Sequence, residues 1–206
     1  MAMPGPSRRH AALAAGFVAL IPGTSVAHTA FQSLGSFWSG VAHVLTSPDQ
    51  IALFLALAIW VSLHNRRSDA WVVGAAFCGF CVGIVLGATF GSQFAAVPSL
   101  AALMVLVGLA GAVQFQTGPG PLIAIASAGG LLGGAASSEG VAGVALALFS
   151  LGGSIAAASV ISWGLIGARR VNFAWGRIAL RTGASWIATI GLMTLALAGS
   201  RYFGHR

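Results

Sequence analysis

The chain has 206 residues, 57% of them hydrophobic and 6% charged, with a formal net charge of +7. That composition excludes an ordinary water-soluble domain, because too few charges remain to cover its surface, and most of the outside must face lipid. The basic side chains are all arginines, set in short connections between apolar runs. They read as topology signals and headgroup contacts rather than a nucleic-acid patch with interleaved aromatics.

Residues 1–27 have the layout of a secretory signal. Arg8 and Arg9 form the positive region, residues 11–21 the apolar core, Pro22-Gly23 the break, and Ser25-Val26-Ala27 a small-x-small cleavage pattern. The core is too short to span a bilayer comfortably. Cleavage after Ala27 leaves His28 as the mature N-terminus outside the cytoplasm; an uncleaved anchor would instead add one helix. Residues 28–206 then form a single transmembrane domain.

The first mature span is expected over 41–63, with Ser47 as N-cap, Pro48 in the first turn and Asp49 complementing the helix dipole. A charged connection, His64 to Asp69, follows. The second span, about 70–90, carries Gly79, Gly83, Gly87 and Gly91 every fourth residue, a side-chain-free ridge suited to close helix packing. A third span runs over about 95–113 and a glycine-rich fourth over about 122–136, closed by a serine-rich turn with Glu139. A fifth covers about 141–166. A basic loop with Arg169, Arg170, Arg177 and Arg181 leads to a sixth over about 185–197.

With the mature N-terminus outside, both arginine-bearing loops fall in the cytoplasm, as the positive-inside rule requires, while Arg201 and Arg206 at the C-terminus fall outside, against it. The expected fold is therefore all-α: a polytopic integral membrane protein of about six transmembrane helices after a cleavable signal peptide. Its place is a bacterial inner membrane, with a periplasmic mature N-terminus.

Few residues carry chemistry. A carboxylate at the mouth of a membrane helix is a functional candidate by default, so Asp49 is either a ligand or proton carrier working with His43, or simply a dipole-stabilising acid. Imidazole and carboxylate together suit nickel, cobalt or zinc. His28, once exposed, offers an amine and an imidazole to copper. Cys78-Gly-Phe-Cys81 puts two thiols on one helical face, either a candidate thiol or Cu(I) pair or small packing residues. No nucleophile with a base and no phosphate-cradling loop appears, which argues against an enzyme.

The order of these features resembles the HupE/UreJ family, small membrane proteins associated with hydrogenase and urease systems and implicated in nickel or cobalt permeation. The resemblance rests on the leader ending at Ala27, His28-Thr29, Gly40-Val-Ala-His43, Asp49, and an apolar helix ending Ala58-Ile59-Trp60. It is clearest over 26–90 and colinear to about 170. His43 and Asp49 match the family's His-Pro-x-x-Gly-x-Asp-His motif, with Val44, Ser47 and Gln50 at the proline, glycine and second histidine. The second family motif, His-Gly-x-x-His-Gly-Ala, falls on 129–135, where Gly129 and Gly133 occupy the histidine positions.

A later family histidine falls near Ser162-Trp163. The resemblance implies a divergent member, with His43, Asp49 and His28 as candidate ligands for a transported divalent metal ion (nickel, cobalt or copper). Its partners would be the lipid bilayer and either a membrane-protein partner or a second copy, docked on the Gly79–Gly91 ridge. The alternative is a non-transporting accessory subunit that packs through its glycine-rich helices.

Overall fold

The computed structural model describes residues 35–91, 96–138 and 143–204. The signal-peptide and cleavage assignments, His28 and Glu139 lie outside the described residues. Among those described, the architecture is entirely helical: α1 (Ser36–Thr46), α2 (Pro48–Ser62), a 3-10 turn (Arg66–Ser68), α3 (Asp69–Phe90), α4 (Ala96–Ala112), α5 (Pro119–Ala136), α6 (Val144–Arg170) and α7 (Ala174–Gly204).

The first span differs from the sequence expectation. Instead of one helix over 41–63 there are two, bent by 72° at Ser47. Pro48 is the physical reason, since its ring bars the preceding residue from the helical region. Ser47 accordingly sits at φ −92°, ψ 101°. Proline then starts α2 at no cost, because its missing N–H would be unpaired there. Ser47 does not cap α2 with its side chain; its hydroxyl turns back and donates to the His43 carbonyl at 2.6 Å. Thr46 donates to the Ala42 carbonyl at 2.8 Å, so the C-terminal end of α1 is partly satisfied by its own hydroxyls.

α2 is the central element. Leu53, Phe54, Ala56, Leu57, Ala58, Trp60 and Val61 are all buried, as expected of a helix apolar on every side. Around it, α3 packs along α5, α4 along α7, and α1 along α6. Glycine makes these pairs close. A Cβ on Gly79 or Gly83 would run into the carbonyls of Ser127 or Leu131 on α5, and one on Gly130 or Gly134 into those of Ala76 or Phe80 on α3. The Gly79–Gly83–Gly87 ridge is thus covered by a helix of the same chain and is not a surface for a partner. Gly91 is not part of it: it caps α3 at φ 58° with nothing within 4 Å of an added Cβ.

Among the described residues four helices are long and apolar enough to cross a membrane, or five with the bent α1–α2 pair as one span; α4 is a shorter apolar helix. The chain is therefore an all-α, multi-pass membrane protein. The supposed basic loop before the last span is mostly helix. Arg169 and Arg170 end α6, and Arg177 and Arg181 lie in the first turns of α7, which begins at Ala174 rather than near 185. Long arginine stems lie along apolar surface while the charge reaches outward, so charge alone does not end a membrane helix.

Three connections gather at one end of the bundle. Trp60 Nε1 donates to the Phe115 carbonyl at 2.8 Å, and the Thr117 N–H donates to His64 Nε2 at 3.1 Å. Arg169 grips Asp69 through Nη2 at 2.6 Å and Nε at 3.0 Å. It also donates Nη1 to the Ser62 and His64 carbonyls, each at 3.1 Å. The opposite end holds the α1–α2 break and the C-terminus of α5.

Candidate functional site at the helix break

The break presents two half-helix ends. The C-terminus of α1, with His43 in its last turn, carries partial negative charge; the N-terminus of α2 carries partial positive charge, offset by Asp49 in its first turn. Together they make a region able to receive a cation, as broken helices do in transporters. His43 and Asp49 are both half-buried and stand on opposite arms of the break. The His43 ring lies against Phe149 of α6, centroids 5.8 Å apart.

Gln50 leads inward from there. It is 2% exposed, and its Nε2 donates to the Ser137 hydroxyl at 2.8 Å and the Gly133 carbonyl at 3.3 Å. Ser137 in turn donates to the Gly133 carbonyl at 2.7 Å. With that carbonyl and the oxygen end of the hydroxyl both accepting, the amide orientation is fixed. Gln50 Oε1 then points elsewhere, and it is the buried side-chain oxygen with no hydrogen-bond partner among the described residues. Such an atom costs about 1–3 kcal/mol unless something donates to it or a cation sits on it.

This contact joins the two sequence motifs, since Gln50 closes the first and Gly133 belongs to the second. The two kinds of glycine in the second motif also separate. Gly130 and Gly134 are close-approach positions against α3. Gly129 and Gly133 face inward, where an added Cβ would meet Leu53 and Leu103 at 3.5 and 3.6 Å, or Phe54 and Phe80 at 3.4 and 3.5 Å. Those are ordinary contacts. The positions that the resemblance aligns with the family's histidines thus have room for a Cβ, filled here by hydrogen.

Among the described residues no three His, Cys, Asp or Glu side chains come together to hold a metal ion. What the site offers is a carboxylate and an imidazole at its mouth and neutral oxygens within. Ser137 was not among the residues singled out from sequence; its spacing of four from Gly133 would have put it on the same helical face. Cys78 is exposed and Cys81 half-buried, both free, and Cys81 Sγ lies 3.0 Å from Ser154 Oγ of α6. His64, at the other end, is held between the Trp60 carbonyl and the Thr117 N–H.

The HupE / UreJ protein family model matches residues 16–194, most of the chain. No curated protein and no solved structure matches. The broken first span, the glycine-laced α3–α5 pair and the junction of the two motifs at Gln50 all lie within the matched region. The chain belongs to the HupE/UreJ family, a group of transporters and accessory factors linked to metal handling, not of catalytic enzymes.

Proposed function

We propose that this protein is a metal-ion permease whose pathway enters at the α1–α2 break, with nickel or cobalt, and next copper, as its cargo. The observation that carries the reading is the buried Gln50 Oε1, in the first turn of α2 just past the break and with no hydrogen-bond partner among the described residues. A buried oxygen acceptor at that place is costly to keep and useful where a cation passes. Asp49 draws the ion to the mouth by charge, and His43 supplies an imidazole there. Gln50 Oε1 then replaces part of its hydration. Neutral oxygens hold a late transition metal far more weakly than imidazole does, which favours passage over retention.

In this reading α4 spans as well, giving six membrane crossings after a cleaved leader. The break and the mature N-terminus lie in the periplasm of a bacterial inner-membrane protein, and the arginine-rich end lies in the cytoplasm. The charge distribution supports this, since Arg66, Arg67, Arg169, Arg170, Arg177 and Arg181 all fall at one end.

The test is accumulation of nickel, cobalt and copper by cells expressing wild type or the His43→Ala/Asp49→Ala double variant at matched membrane levels. Accumulation above vector controls, lost in the double variant, is expected. If wild type and double variant accumulate all three ions alike, the permease reading fails.

A further inference from the structure

At the end of α2 remote from Asp49, four arginines line one cavity of ≈ 220 Å³: Arg66 from the 3-10 turn, Arg169 from the end of α6, and Arg177 and Arg181 from the start of α7. Their charges are not balanced. The acids among the described residues are Asp49 and Asp69. Asp69 is taken by Arg169. Asp49 stands at the opposite end of the 15-residue α2, roughly 20 Å away at 1.5 Å per residue. Arg66, Arg177 and Arg181, all exposed, therefore share a small open space with no carboxylate among the described residues to offset them, beside the N-terminal turns of α7, whose dipole adds positive potential.

Arg181 donates Nε to the Ala112 carbonyl at 3.0 Å, which orients its guanidinium, and no acid among the described residues pairs with it. The amide of Gln114 also lines the space, and Ile59, Leu63 and Leu180 form an apolar wall. Guanidinium forks pair with the oxygens of a phosphate two at a time, and several forks converging suit a multiply charged tetrahedral anion better than a planar carboxylate.

We propose that this cavity is a binding site for a phosphate group, which at the end of a membrane bundle comes either from an anionic lipid headgroup or from free phosphate. Bound phosphate would tie α7 to the ends of α2 and α6, stabilising the end of the bundle where three connections meet.

The experiment uses the full chain, purified and delipidated in detergent, titrated separately with phosphatidylglycerol and with inorganic phosphate and read by native mass spectrometry. One bound molecule per chain is expected. Affinity should fall by about tenfold or more in Arg177→Gln/Arg181→Gln, the loss of two charge-assisted contacts. It should change by less than about twofold in Arg67→Gln/Arg170→Gln, which removes the same charge from arginines outside the cavity. Phosphatidylglycerol binding that millimolar phosphate fails to displace assigns the site to lipid. Binding of phosphate alone, with displacement of lipid, assigns it to the free ion. Equal losses in the two double variants, or none in either, would mean diffuse attraction and overturn the proposal. Should the glutamine pair fail to fold, Arg177→Lys/Arg181→Lys keeps the charge and removes the forks; unchanged affinity in that variant overturns it equally.

Discussion

Replacing the glycines of α5 one at a time by alanine should split them into two classes with opposite effects. At Gly129 and Gly133 the new methyl meets its nearest neighbours at 3.4–3.6 Å, ordinary contact. Alanine is also about 1 kcal/mol better than glycine inside a helix, so these variants should be unchanged or more stable by up to that amount. At Gly130 and Gly134 the methyl falls on the carbonyls of Ala76 and Phe80, backbone that cannot swing aside. Forcing α3 and α5 apart costs about 1–3 kcal/mol or more, which outweighs the propensity gain. The propensity gain is common to both classes, so for a chain of this size they should differ by about 2–12 °C in unfolding temperature, followed by circular dichroism in one detergent. Four variants moving together, or Gly129→Ala and Gly133→Ala unfolding first, would refute the assignment of interior room to those positions.

Arg169→Ala should lower stability by about 2–3 kcal/mol, less than for a fully buried pair because Asp69 is 27% exposed. Asp69→Asn, which keeps an acceptor, should cost clearly less in the same thermal assay. Trp60→Phe should cost about 1 kcal/mol, the hydrogen bond to Phe115, and should raise amide exchange in the 113–118 connection without altering the rest of the chain. Cys81→Ala, which removes the contact with Ser154 on α6, should cost about 1 kcal/mol in the same thermal assay, whereas Cys78→Ala, on the outward face of α3, should be near neutral; equal effects would contradict that placement.

Much of this was legible in the sequence because the bilayer enforces it. Apolar runs long enough to span, and arginines between them, located α3, α5 and α6 to within a few residues. The four-residue glycine spacing identified a close-packing face on α3, yet nothing in it named the partner. Only the fold shows that α5 of the same chain lies there, with Gly130 and Gly134 as the reciprocal positions. From sequence alone Pro48 reads as a tolerated first-turn proline. It is that, but it also holds Ser47 out of the helix, and together with the preceding helix that makes a sharp break rather than a single span.

Arg177 and Arg181 read as a basic loop in the sequence, yet they lie in α7. At the first turns of a long helix the cost of charge is small, since the side chains reach the surface. The site shows the same limit. Family resemblance placed the two motifs, and periodicity placed Gly129 and Gly133 on a helix. The junction of Gln50 with Gly133 and Ser137 is a long-range contact between residues more than eighty apart in sequence, which no local pattern encodes.

The central claim, that Gln50 Oε1 serves a passing cation, is tested most directly by metal flux into proteoliposomes containing Gln50→Leu. The substitution is similar in volume and removes the unsatisfied Oε1, while the Gly133 carbonyl keeps the Ser137 hydroxyl as donor, so the variant should remain folded, within about 1–2 kcal/mol of wild type. We expect wild-type vesicles to take up nickel or cobalt faster than protein-free vesicles, and Gln50→Leu vesicles to show no more than the protein-free rate. Wild-type rates in a folded Gln50→Leu protein would contradict the account.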